Sequence, residues 1–176
     1  MPSGRTHDAI TVLLAAPTFA AAWGITGRVP LAAVATAAML FGGLMFGPDL
    51  DILSRQYTRW GPLRVLWWPY RVVFRHRSRW SHGIIFGTLI RVVYFAAVLA
   101  LLACAAVYLR ATFVAGAPAD YGALWRAWRA AEQSALMHGR AWPFLLAALA
   151  GLWWGAASHT LTDVGWSVIR KGSQIF

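Results

Sequence analysis

The chain has 176 residues, 59% of them hydrophobic and only 12% charged, with sixteen Lys and Arg against six Asp and Glu and a single cysteine. Soluble domains carry about 45–50% apolar and about 25% charged residues, so this composition, with a mean hydropathy of +0.54, excludes an ordinary soluble protein. The 14% aromatic content excludes disorder, and the lone Cys104 excludes a disulfide scaffold.

A membrane-crossing helix needs about 20 mainly apolar residues, and four runs meet that need. The first, residues 10–26, is uncharged, and Pro17 is placed to kink it. Its position after Arg5 is that of a secretory leader, but it continues across Gly27-Arg28-Val29-Pro30, a tight turn, into a second run, so it reads as a span. The second run, 31–46, stops at Gly47-Pro48. An Arg-, Trp- and Pro-rich loop, 49–82, follows. Within it Leu63–Phe74 reads as an interfacial segment, because Trp and Tyr favour the headgroup layer and Arg favours anionic lipid. The third run, 83–109, carries only Arg91, expected to snorkel toward the interface, and Cys104, expected as a small core hydrophobe. The loop 110–140 contains a short helix over 121–137. The fourth span, 141–163, completes an all-α, integral membrane four-helix bundle in a single membrane domain, 1–176.

Positively charged loops stay cytoplasmic. Ten of the sixteen basic residues fall on the side shared by the two termini and the loop 49–82, five fall on the other side, and Arg91 lies within the third span. Both termini are therefore expected in the cytoplasm. The charge of +10 is then a membrane-topology signal, and nucleic acid is not an expected partner. Membrane lipid is.

On that map His7 and Asp8 precede the first span, Asp49 and Asp51 follow the second, His76 and His82 precede the third, and His159 and Asp163 lie at the end of the fourth. Four of six acids and four of five histidines thus converge on one face; His138, Asp120 and Glu132 fall opposite. Histidine with carboxylate suits a divalent metal such as Zn, Mn, Fe or Mg. His159 and Asp163 are one helical turn apart and point to one side. Asp49 and Asp51 flank a turn, as bridging or water-orienting carboxylates do, and the set is large enough for two ions. Arg75, Arg77 and Arg79 surround His76, and guanidinium forks match phosphate. The residues therefore point to a metal-dependent hydrolase of a phosphate-bearing substrate at the cytoplasmic face. His76, His82, His159, Asp163 and Asp49 would be ligands, Asp51 or Asp8 would orient water or act as base, and Arg75, Arg77 and Arg79 would hold phosphate. Two other readings are open: a metal-stabilised scaffold or subunit without catalysis, and a metal-ion transporter, which would place ionisable groups at mid-membrane depth.

Several stretches also carry a resemblance. Pro2-Ser3-Gly4-Arg5-Thr6-His7-Asp8, Phe41 through Asp51 (FGGLMFGPDLD), Ser54-Arg55-Gln56-Tyr57, Arg59 through Arg64 (RWGPLR), Arg75-His76-Arg77-Ser78 and Ser81-His82-Gly83 together resemble a cyanobacterial-type bacterial family of uncharacterised metal-binding membrane proteins. The resemblance runs from residue 2 to about residue 95 and resumes at His159–Asp163. That family is similar to inner-membrane metal-dependent hydrolases with a Pro-Asp-x-Asp element, matched by Pro48 to Asp51, and a His-Arg…Ser-His element, matched at a different spacing by His76-Arg77 and Ser81-His82. It implies metal ligands at His7, Asp49, His76, His82, His159 and Asp163, in a bacterial cytoplasmic membrane.

Overall fold

A proline in a helix removes one hydrogen bond, and its ring crowds the carbonyl four residues earlier. Pro17 stands four residues after Leu13, and there the first helix breaks. In the computed structural model, which describes residues 2–76, 78–116, 118–137 and 141–172, α1 (Gly4–Leu13) gives way at Leu14 to α2 (Ala15–Thr26). Leu14 still donates to Ile10 at 2.9 Å and Thr18 to Leu14 at 3.0 Å, so α1 and α2 continue as one stretch. Gly27 ends α2 with φ of 63° and donates to the Trp23 carbonyl at 2.7 Å. That left-handed conformation is one glycine adopts without steric cost. Pro30 then sits in the first turn of α3 (Val29–Leu44), where its missing N–H is not needed.

The loop after α3 is built of short helical pieces: a 3₁₀ turn at Pro48–Asp51, α4 (Arg55–Thr58), a 3₁₀ stretch at Gly61–Trp67, α5 (Trp68–Val73) and α6 (Arg79–His82). The long α7 (Phe86–Arg110) passes into a π turn (Ala111–Ala115), and α8 (Tyr121–Met137) and α9 (Ala141–Gly172) complete the chain. The described residues are all-helical, and four helical stretches are long and apolar enough to cross a membrane: Gly4–Thr26, Val29–Asp51, Phe86–Ala115 and Ala141–Arg170. Each overlaps an expected span. The first begins six residues earlier than the apolar run, because Ser3 caps the helix by accepting from the Thr6 amide at 3.2 Å. The fourth runs past 163 because nothing in 164–172 breaks a helix.

The backbone contacts divide the chain into two compact units, 1–91 with 143–176, and 92–142. In the first, α3 and α9 touch backbone to backbone. A Cβ added at Gly151 would overlap the Ala35 carbonyl, one at Gly155 the Met39 carbonyl, and one at Gly42 the Leu152 carbonyl. Small residues one turn apart let membrane helices approach this closely. Gly43 likewise admits the Thr11 side chain, which seats α1 on α3. Met39, Ala32, Ala156 and Ala157 are buried around these crossings.

The segment expected at the interface is two-faced. Trp67 and Tyr70 are fully buried, Trp67 packing edge-on against Phe46 and Trp60 at 5.3 Å each, while Leu63, Val65, Trp68 and Val72 are exposed. Burial pushes the Tyr70 phenol above its ordinary pKa. Arg91 departs from expectation. Its guanidinium is buried rather than snorkelling, and it donates to the Ser81 carbonyl at 2.7 Å and to Thr88 Oγ1 at 3.2 Å. Ser81 donates its hydroxyl to the Arg75 carbonyl at 3.0 Å, and Ser78 Oγ accepts from the Ser81 amide at 3.2 Å.

In the second unit α8 occupies the expected range. Asp120 opens it, accepting from the Ala123 amide at 3.1 Å and from Arg126 at 2.6 Å, and the Arg126 guanidinium holds this carboxyl below its usual range. Cys104 is exposed, not a core residue, because it lines an open apolar groove between α7 and α8, opposite Tyr121, Trp125 and Trp128.

Candidate metal centre

The start of α1, the middle of α9 and the loop after α3 meet in the first unit. His7 sits one turn into α1, and Thr11 one turn further on donates to the His7 carbonyl at 2.9 Å. His159 and Asp163 share one face of α9. The His7 and His159 rings stack at 3.8 Å and 12°. His7 Nε2 is 3.2 Å from Asp163 Oδ1, and His159 Nε2 is 4.0 Å from Asp163 Oδ2. These three residues form one group able to offer ligand atoms to a single cation.

A second group forms around the 3₁₀ turn. His82, at the end of α6, places Nε2 at 3.4 Å from Asp49 Oδ1, and His76 lies with its ring edge-on to His82 at 4.7 Å. Asp49, His76 and His82 offer ligand atoms close to one another. Asp49 also belongs to the first group's surroundings, because its other oxygen, Oδ2, is 3.3 Å from His159 Nε2. The two groups therefore adjoin through one carboxylate.

The donor set fits divalent cations. The buried His7 Nδ1 and Asp51 Oδ2 make no hydrogen bond among the described residues, while His82 Nε2 and Asp163 Oδ1 are left with ion-pair contacts alone, to Asp49 and His7. Leaving such an atom unmade costs about 1–3 kcal/mol. Three carboxylates, Asp49, Asp51 and Asp163, stand among four histidines, the mixed donor set that divalent metal sites use. The set is nitrogen and oxygen only, as Zn, Mn, Fe or Mg accept.

Asp51 and Asp8, both expected to handle water, are placed otherwise. The Asp51 side chain is fully buried. One oxygen is hydrogen-bonded to His76 Nδ1 at 2.9 Å, and the other is 3.6 Å from His82 Nδ1. This is how a carboxylate fixes the ring orientation of ligating histidines. Asp8 is gripped by Arg59, whose two terminal nitrogens donate to its two oxygens at 2.8 and 2.6 Å, with Arg55 at 3.1 Å. Arg59 also donates to the Leu44 carbonyl at 2.8 Å, tying the start of α1 to the end of α3. Of the expected phosphate-holding residues, Arg75 is exposed, while Arg77 and the side chain of Arg79 lie outside the described residues, as does His138.

Residue-type reasoning missed Gln56. Its buried amide donates to the Gly43 carbonyl at 2.7 Å, accepts from the Asp49 amide at 3.1 Å, and lies 3.3 Å from His159 Nδ1. It links the end of α3, the 3₁₀ turn and α9. A Cβ at Gly47 would overlap this amide, so glycine there leaves room for Gln56 in its bonded position. The sequence signal was present but silent: a neutral Gln in a loop otherwise rich in Arg. Ser54 adds a second brace, donating to the Asp49 carbonyl at 2.7 Å. His82 is held from two sides, by Arg91 on the preceding carbonyl and by Thr160 Oγ1 at 3.4 Å from its own. A cavity of about 280 Å³ opens onto His7, Asp49 and His159 and is also lined by Ser54, Arg55 and Gln56.

A protein-family comparison matches residues 2–172 to the family described as "Uncharacterized metal-binding protein (DUF2227)". An uncharacterized protein of Aquifex aeolicus is 39% identical over 56 residues, which is 31% of this chain and 39% of that protein. The matched region thus spans well under half of that relative. No solved structure matches. With nearly its whole length matched, the chain belongs to the DUF2227 family of metal-binding proteins.

Proposed function

We propose that the chain is an integral protein of a bacterial cytoplasmic membrane, both termini in the cytoplasm, whose metal centre hydrolyses phosphate esters at that membrane face. The observation that carries this reading is Asp49, with one oxygen toward His159 and the other toward His82. His7, His159 and Asp163 would hold one divalent ion, and His76 and His82 a second, with Asp49 serving both. When bound, a divalent pair supplies Lewis acidity toward a phosphoryl oxygen and lowers the pKa of water. The chain's own residues do the rest. Asp51 orients His76, Gln56 fixes Asp49 and His159, and Arg59 keeps Asp8 out of the reaction.

Depth supports the membrane placement. His159 lies eighteen residues into α9, roughly 27 Å from its start at 1.5 Å per residue, close to one hydrocarbon thickness of about 30 Å. The spans would close as a bundle with the segment Leu63–Phe74 at the interface and lipid around it. The cavity opening onto His7, Asp49 and His159 favours catalysis over a scaffold, since structural metal sites are closed.

The test is metal analysis of purified wild type, His82→Ala and His159→Ala, with a phosphate-ester screen on the same samples. Metal content reduced in both variants, with ester turnover in wild type only, is expected. Unchanged metal content in both contradicts the ligand assignment, and bound metal without turnover of any ester contradicts the hydrolase.

A further inference from the structure

The charges around Asp8 do not balance. Arg59 already donates to both oxygens of that carboxylate, and Arg55 brings a second guanidinium to 3.1 Å of Asp8 Oδ2. Two positive charges share one negative. Among the described residues Asp8 is the only ion-pair partner of Arg55, whose side chain is 51% exposed. Arg55 also lines the cavity of about 280 Å³ whose other walls carry His7, Asp49 and His159. Gly4, in the first turn of α1, completes the wall beside it; a Cβ there would come to 3.0 Å of Arg55 Cδ. The positive end of α1 therefore faces the same space.

From this geometry we infer that Arg55 is the anion-binding residue of the centre, and that the cavity takes the phosphate of a monoester with a small alcohol attached. This rests on the phosphate-ester reading above and moves phosphate recognition from the exposed Arg75 region to Arg55. A guanidinium with surplus charge and uncommitted donors offers phosphate a two-point fork. An anion held there lies between Arg55 and the proposed ligands Asp49 and His159. The volume is at the small end of ligand sites, which run about 300–1,000 Å³, so a phosphate with a headgroup-sized alcohol fits and acyl chains stay outside. Leu53, also lining the cavity, is 71% exposed and gives the mouth an apolar lip.

The probe is inorganic phosphate, titrated calorimetrically into the full chain in phosphatidylcholine nanodiscs, both metal-loaded and chelator-treated, with metal content measured in every sample. Arg55→Gln is expected to weaken phosphate binding about tenfold or more, the loss of one charge-assisted pair. Arg55→Lys should fall between, and Arg64→Gln, which removes an exposed charge from the same loop, should bind like wild type. Phosphate should also protect wild-type Arg55 from an arginine-directed dicarbonyl reagent, a readout independent of variant folding. Two competition arms separate the sources: phosphatidic acid within the disc, and glycerol phosphate in solution. Arg55-dependent displacement in either arm supports the proposal and names the source. Phosphate binding that is unchanged in Arg55→Gln, or absent from wild type, or Arg55 labelled equally with and without phosphate, overturns it. Wild type that binds phosphate through Arg55 yet holds no metal contradicts the centre and not this inference.

Discussion

Asp49 turns one carboxylate oxygen to His159 at 3.3 Å and the other to His82 at 3.4 Å, so a single side chain in the 3₁₀ turn after α3 faces both histidine groups. Asp49, Asp51 and Asp163 each lie within 4.0 Å of a histidine nitrogen in a partly buried place that offers a cation several ligand atoms. Binding to the folded state alone stabilises it by RT ln(1 + [L]/Kd), about 2.7 kcal/mol at a hundredfold excess over Kd. Chelation should therefore lower the thermal midpoint of the detergent-purified protein, and added metal should restore it. Asp49→Asn should be nearly blind to both treatments. A chelator shift as large in Asp49→Asn as in wild type would contradict the shared role.

Gln56 braces the centre without facing a cation. Groups that orient metal ligands typically alter affinity about 10–100-fold when removed. Gln56→Leu should weaken metal binding by that order, measured by competition with a chromophoric chelator, while Ser54→Ala has a smaller effect. Equal affinity in Gln56→Leu and wild type would show that the backbone alone holds Asp49 and His159.

Arg59 joins three pieces of chain through the fork on Asp8 and the cap on Leu44. Hydrogen bonds to charged groups contribute about 1.5–3 kcal/mol. Arg59→Ala should lower stability by an amount of that order in thermal unfolding. Arg59→Lys should recover only part of it, because an ammonium cannot span both oxygens. Full recovery by Lys would mean that charge alone matters.

The α3–α9 crossing gives a paired test. Gly155→Ala places a methyl on the Met39 carbonyl, whereas Gly165→Ala meets nothing within 4 Å. The first should destabilise by at least about 1–3 kcal/mol and lower metal content, because α9 carries His159 and Asp163. The second should be neutral or stabilising by up to about 1 kcal/mol. Equal behaviour of the two would contradict the close crossing.

The spans were legible because long uncharged runs need no partner to be recognised, and the breaks at Pro17 and Gly27 follow from single-residue stereochemistry. The gathering of His7, Asp49, His82 and His159 was legible because counting four apolar runs along the chain puts these residues at the same end of the expected topology. What was not legible depends on pairings across long stretches of chain. The Asp8 partner lies fifty-one residues away at Arg59, which turns an expected base into a tie between helices. Arg91 looks like a lipid-facing charge until Ser81 and Thr88 are seen to receive it. Gln56 bears no charge and no spacing signature, and only the fold shows it between Gly43, Asp49 and His159. Asp49 and Asp51 are chemically identical in sequence, yet the 3₁₀ turn leaves Asp49 half-buried between the two groups and buries the Asp51 side chain completely.

The most direct test of the two-group centre is the metal content per chain of wild type, Asp163→Asn, His82→Ala and Asp49→Asn, purified identically and measured by elemental mass spectrometry. The account predicts two ions in wild type, about one in Asp163→Asn and in His82→Ala, and close to none in Asp49→Asn. A wild type with a single ion, or an Asp49→Asn variant that keeps its full complement, would contradict it.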